Sequence, residues 1–189
     1  MSSGKAELRK TFALRREALS NELRAGYDAK IRMHLSGWEP FRSASAVAAF
    51  AAFGAEPELL PLAREKTWFL PRYSRDSGRY ELVEIRDTEC DLALGKYGIR
   101  EPRPELAALP EERWKELLFL IPALACDRFG VRLGRGGGYY DRMLEHAGGA
   151  VVAVVYGCQL SDEPLPCEAH DRRVAWIVTE SGVTDCLEK

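Results

Sequence analysis

Residues 114–144 read "WKELLFLIPALACDRFGVRLGRGGGYYDRML". The segment opens with an unbroken apolar run over residues 117–125, passes through a glycine-rich stretch, and closes on apolar positions with helical spacing over residues 139–145. A run without polar alternation suits a strand buried on both faces, as in a parallel sheet covered by helices. Strand, loop and helix in that order place the loop at a strand's carboxyl end, where open α/β sheets bind ligands.

The pattern repeats outward. "SAVAAFAAF" (45–53), "TWFLPRY" (67–73), "AVVAVVYG" (150–157) and "VAWIVT" (174–179) read as further buried strands, and "RYELVEI" (79–85) as one of alternating character. "PELLPLARE" (57–65) reads as a short helix. Over residues 5–38 apolar positions such as Leu8, Phe12, Leu19, Leu23, Tyr27 and Ile31 mark an amphipathic helix, broken near Ser20 and Asn21. "GKYGIREPRPE" (95–105) is rich in glycine and proline and reads as a loop. Strands alternating with helices define an α/β fold with a mainly parallel sheet, and 189 residues suit one domain over 1–189.

Composition narrows the function classes. A formal net charge of −2 gives no general attraction to nucleic acid or an anionic membrane. Five cysteines, odd in number and without a CxxC pair, suit reduced thiols in the cytoplasm. No apolar run reaches membrane-spanning length, and the first ten residues lack the apolar segment of a signal peptide.

The glycine stretch carries the chemistry. Four glycines and two arginines fall within the seven residues 132–138. Ordered glycine costs about 0.5–1 kcal/mol relative to alanine, so four forgo about 2–4 kcal/mol of a total near 5–15 kcal/mol. Bare backbone can bring N–H groups close to phosphate oxygens, a helix start adds positive potential, and Arg132 and Arg135 supply charge-assisted bonds. A Walker loop is excluded because no Lys-Ser or Lys-Thr follows. A dinucleotide fingerprint is excluded because Tyr139 stands where its last glycine belongs. Asp141 follows at once. An acid beside phosphate either bridges through Mg²⁺ or stabilises the helix start, and the spacing allows both.

"RLGRGGGYYDRML", with "IPALACD" upstream, resembles the signature of the 5-formyltetrahydrofolate cyclo-ligases. The likeness extends to "KAELR" near the start, "FGAEPE" after the first strand, "FLPRY" around Arg72, "GIREP" around Glu101, and "AHDRRVAWIVTESG" near the end. Three positions depart from the pattern: Cys126 replaces a usual phenylalanine, Leu59 a usual threonine, and Ala175 a frequent acid.

The resemblance implies a three-layer α/β/α fold like that of sugar-phosphate isomerases and CoA-transferases. It also implies ATP-dependent conversion of 5-formyltetrahydrofolate to 5,10-methenyltetrahydrofolate; a monomer is expected, though the sequence itself does not give the oligomeric state. It assigns ATP to Lys5, Arg9, Arg132, Gly134, Arg135, Gly136, Gly137, Gly138, Tyr139 and Tyr140. Folate falls to Phe53, Glu56, Arg135, Gly136, Gly137, Gly138 and Tyr139, and Mg²⁺ to Asp141 and Asp171. Arg132, Arg135 and Tyr139 carry the catalytic roles. Tyr140 shares a face with Met143 and Leu144 and is expected to lie partly in the core. His34, His146 and His170 are too scattered to suggest a triad. An isomerase or CoA-transferase would leave Lys5 and Arg9 unexplained, and an RNA-binding module would want a basic surface.

Overall fold

A strand buried on both faces needs apolar side chains in every position, and that condition selects the centre of this sheet. In the computed structural model, which describes residues 2–95, 98–168 and 171–186, the strands are, in chain order, β1 (Ala46–Ala48), β2 (Thr67–Tyr73), β3 (Tyr80–Ile85), β4 (Leu92–Leu94), β5 (Arg100–Pro102), β6 (Ala108–Leu109), β7 (Leu118–Pro122), β8 (Ala125–Asp127), β9 (Arg132–Leu133), β10 (Val151–Val154), β11 (Leu160–Ser161), β12 (Trp176–Thr179) and β13 (Gly182–Asp185). The main sheet has eight strands in the order β13-β12-β10-β7-β1-β2-β3-β6. Pairing is parallel from β12 through β10, β7 and β1 to β2. Both edges are antiparallel, β13 on β12 and β3 with β6 beside β2.

Successive residues of the central strands enter opposite cores. Val47, Trp68, Leu70, Leu118, Leu120, Val152, Val154 and Val178 pack on one side. They meet Ile31 and Leu35 of α2 (Asn21–Gly37) and Phe41 of α3 (Glu39–Ser43). Ala48, Phe69, Phe119, Ile121, Val151, Ala153 and Ile177 face the other way, against Trp114 and against Met143 and Leu144 of α4 (Tyr139–Leu144). Each large side chain so buried contributes about 1.5–3 kcal/mol. Helices thus cover both faces, and the layers are α/β/α.

The N-terminal break falls where its residues dictate. After α1 (Ser2–Glu17), Ser20 caps α2, its Oγ accepting from the Leu23 N–H at 3.2 Å. Leu8 and Phe12 seat α1 on Ala125, Val131 and Leu133, the core of a second, three-stranded sheet β11-β8-β9. That sheet delivers the glycine loop. Its backbone is fixed by Asp127, buried at 1% exposure, which accepts from the N–H groups of Phe129, Val131 and Leu165 at 2.9, 3.0 and 2.8 Å.

The structure departs from the sequence expectations in several places. The run over 45–53 pairs only as far as Ala48, after which Phe50 and Ala51 turn into a cleft wall. The run over 117–125 is two strands, not one, because the chain leaves the main sheet after Pro122 and enters the small one at Ala125. The expected short helix is a 3-10 turn, Leu60–Arg64. The expected loop over 95–105 contains β5, which pairs antiparallel with β4; Lys96 and Tyr97 lie outside the described residues. All five cysteines are free, as expected. No helix among the described residues is long and apolar enough to cross a membrane.

Candidate active site

Beyond the carboxyl ends of β1, β2 and β7 lies a cleft of about 780 Å³, a size usual for small-molecule sites. Every residue that the resemblance assigned to ATP, folate or Mg²⁺ lines it. Gln159, buried in the turn after β10, holds the far end of β7 in place: its side-chain nitrogen donates to the carbonyls of Ala123 and Leu124, at 2.7 and 3.1 Å.

At one end the loop 134–138 meets α1. Arg9 donates from Nε to the Gly134 carbonyl at 2.9 Å, and a side chain on Gly136 would lie 3.4 Å from its guanidinium carbon. Gly136 and Gly138 take φ of 97° and 63°, the left-handed region that glycine enters freely. Lys5, one helical turn from Arg9, pairs with Asp171 at 3.0 Å and Glu168 at 3.5 Å. Partial burial pulls the Lys5 pKa down, but the bonds and charges of Asp171 and Glu168 outweigh it and leave a net rise. Arg132, its side chain only 4% exposed, pairs with Asp141.

At the other end Glu56 sits between two guanidiniums. Arg135 donates to its Oε1 at 2.9 Å, Arg16 lies 3.7 Å away, and Oε2 accepts from the Phe53 N–H at 3.1 Å. Arg135 also stacks over the Phe53 ring, 4.7 Å from its centre. Arg135 therefore bridges the glycine loop to the acidic segment after β1.

Tyr139 is exposed and stands edge-on to Tyr80 at 5.2 Å, with Arg142 over its ring. Tyr140 is half-buried and packs on the α4-side core, and desolvation, then the Glu56 charge, pushes its phenol pKa up. Tyr140 thus lies partly in the core, as expected. Cys126 and Leu59, two of the departures, are fully buried core residues that do not line the cleft. His170 lies outside the described residues.

Sequence reasoning missed Arg16, Gln159 and Glu168. Arg16 had a signal: it is eleven residues after Lys5 and seven after Arg9, on the same stripe of α1. Its burial lowers its pKa, with Glu56 only partly offsetting the desolvation, and its Nε and Nη1 make no hydrogen bond among the described residues. Gln159 and Glu168 had none, because the contacts that tie them to the cleft, with Ala123, Leu124 and Lys5, reach across distant segments.

Gly137 gives a direct test of the loop. A Cβ there would fall 2.4 Å from the Tyr139 ring. Gly137→Val is expected to displace that ring, weakening ATP at least about tenfold while the protein stays folded. Unchanged affinity by titration calorimetry would show that the loop does not touch nucleotide.

A three-layer α/β/α protein with an arginine- and glycine-lined cleft beyond its parallel strand ends belongs to the general class of α/β proteins that bind a small ligand at that edge. The comparisons make this specific. The family model described as "5-formyltetrahydrofolate cyclo-ligase family" matches residues 1–180. The 5-formyltetrahydrofolate cyclo-ligase of Mycolicibacterium smegmatis is 34% identical, over 93% of this chain and 93% of its own length. That of Escherichia coli is 31% identical, over 89% and 96%. The NMR structure of Aquifex aeolicus 5,10-methenyltetrahydrofolate synthetase superposes with a TM-score of 0.85 at 32% identity, covering 98% of this chain and 94% of that one. A 5,10-methenyltetrahydrofolate synthetase from Mycoplasma pneumoniae, 19% identical over 93% and 98% of the two chains, shares the fold with a TM-score of 0.71. The chain belongs to the 5-formyltetrahydrofolate cyclo-ligase family.

Proposed function

We propose that this protein closes 5-formyltetrahydrofolate to 5,10-methenyltetrahydrofolate at the expense of ATP, acting as a monomeric single domain over residues 1–189 in the cytoplasm. One observation carries the reading. The cleft joins a cationic glycine loop to a wall of Phe50, Ala51 and Phe53, and Arg135 of the loop reaches Glu56 beside that wall.

The chemical difficulty is that a formamide oxygen is a poor leaving group. Attack of that oxygen on the γ-phosphorus of ATP expels ADP and leaves an imidate-like phosphate. N10 then adds to the formyl carbon, loses its proton, and phosphate departs with the former formyl oxygen. No enzyme nucleophile is needed, so positioning and electrostatics carry the catalysis. Lys5, Arg9, Arg132, Arg135 and the backbone of Gly134, Gly136, Gly137 and Gly138 hold the phosphates, with Tyr139 and Tyr140 beside them. Phe53, Glu56 and Tyr139 orient the folate. Arg132 and Arg135, the cations next to the transferring group, neutralise its developing charge.

The donor set suits Mg²⁺. Asp141 and Asp171 both line the phosphate end, each paired with a cation, Arg132 and Lys5, that an incoming phosphate attracts. Asp141 and Asp171 would hold the metal, which would supply neutralisation of phosphate charge. Purified protein given 5-formyltetrahydrofolate, ATP and Mg²⁺ is expected to develop the near-ultraviolet absorbance of the methenyl product. No absorbance change with any reduced folate would overturn the reading.

A further inference from the structure

The carboxylates lining the cleft are not alike. Glu56, Asp141, Glu168 and Asp171 each face a cation within 4 Å, from Arg135, Arg132 or Lys5. Glu101 of β5 also lines the cleft, half-buried, yet it has no ion pair and no side-chain hydrogen bond among the described residues. The cations of neighbouring strands are engaged elsewhere. Arg100 donates to the Thr88 carbonyl and lies 3.7 Å from Glu89. Arg72 of β2 pairs with Glu81 at 3.0 Å and donates to the carbonyls of Arg103 and Leu106.

The hairpin is shaped around this carboxyl. A Cβ on Gly95 would fall 2.5 Å from the Glu101 carboxyl carbon and 2.6 and 2.8 Å from its oxygens. The side chain therefore lies flat on bare backbone, and any other residue at 95 would push it aside. Desolvation alone pushes its pKa up, as expected of a carboxyl that lacks donors.

Position and charge select what it meets. The phosphate end of the cleft is built by α1, the loop after β9 and the segment before β12. Glu101 belongs to the β4–β5 hairpin, which packs beside β2 and β3, across β1 from that end. Its neighbours along the cleft wall include Pro71 and Ile99, which suit a flat ring. A carboxylate with no cation paired to it among the described residues repels phosphates and the anionic tail of a folate, so the head of the substrate is what it admits. That head carries a 2-amino group beside a ring N–H, two adjacent donors that match the two oxygens of one carboxylate.

We propose that Glu101 is a specificity residue that binds the 2-amino-4-oxopyrimidine edge of the folate head through both carboxylate oxygens. The inference rests on the cyclo-ligase reading of the cleft. Glu101→Gln is expected to raise KM for 5-formyltetrahydrofolate at least about tenfold, with kcat and the KM for ATP little changed. The 2-desamino-2-methyl analogue, which lacks the amino donor, should lose a similar factor with the parent protein. Glu101→Gln should then treat analogue and substrate nearly alike. Gly95→Ala, which displaces the carboxyl without altering it, should reproduce the rise in KM. An unchanged folate KM in Glu101→Gln, or equal loss of analogue and substrate on mutation, would overturn the assignment. A parent protein that binds the folate by calorimetry but makes no methenyl product would instead sink the cyclo-ligase reading, and the same variants would then be read by folate Kd.

Discussion

Asp141→Asn is expected to cut turnover about a hundredfold or more, the scale of losing one preorganised charge contact to a transition state. The asparagine keeps the size and an acceptor oxygen for Arg132 but removes the charge. Two consequences follow from the pairing of Asp141 with Arg132. The Arg132 side chain is only 4% exposed, and its Nε has no hydrogen bond among the described residues. Removing its counterion leaves a buried cation, which costs up to about 3–5 kcal/mol when the partner vanishes entirely. The retained amide oxygen reduces that. Each lost kcal/mol lowers the melting temperature by about 2–4 °C in a chain of this size, so a measurable drop should accompany the loss of rate. The metal role is separated by a second readout. If Asp141 holds Mg²⁺, the dependence of ATP binding on Mg²⁺ should flatten in Asp141→Asn, and high Mg²⁺ should restore part of the turnover. Wild-type turnover at limiting Mg²⁺ would leave Asp141 as the counterion of Arg132 and a charge at the start of α4.

That pairing marks the limit of what the sequence disclosed. The elements it made legible are set by neighbours a few residues away or by burial on both faces. Ser20 caps α2 through an N–H three positions on, and the all-apolar runs of β7 and β10 announce their two cores. The edges were not legible, because β6 and β13 are short and pair antiparallel without an apolar run of their own. Nor was the departure of the chain from the main sheet after Pro122, since the residues on both sides of that point are equally buried. The site divides in the same way. The loop residues and the Lys5/Arg9 spacing are local, whereas Arg135–Glu56 and Lys5–Asp171 join residues 79 and 166 positions apart. Spacing along a helix says which side chains point together, not what they will meet.

Lys5→Ala/Arg9→Ala is expected to weaken ATP by at least about tenfold, and by over a hundredfold if each charge-assisted bond contributes about 1.5–3 kcal/mol. The helix alone would predict no effect on stability, since exposed charges contribute little. The structure alters that expectation. Lys5 is only 15% exposed and neutralises Asp171, and Arg9 ties α1 to the Gly134 carbonyl. The double variant should therefore melt a few degrees lower, because it loses the Lys5–Asp171 ion pair and the Arg9–Gly134 bond. Affinity separates this structural part from the ligand part. If the two side chains only pin α1 to the loop, Arg9→Lys, which keeps the charge but loses the planar fork, should bind ATP about as poorly as Arg9→Ala. If they hold phosphate, Arg9→Lys should recover much of the ATP affinity. Folate affinity should move little in every variant, because Glu56 and Phe53 lie at the other end of the cleft, joined to the loop by Arg135 rather than by Lys5 or Arg9. ATP binding by the double variant equal to that of the parent, measured by calorimetry on folded protein, would return both residues to a solvated helix face.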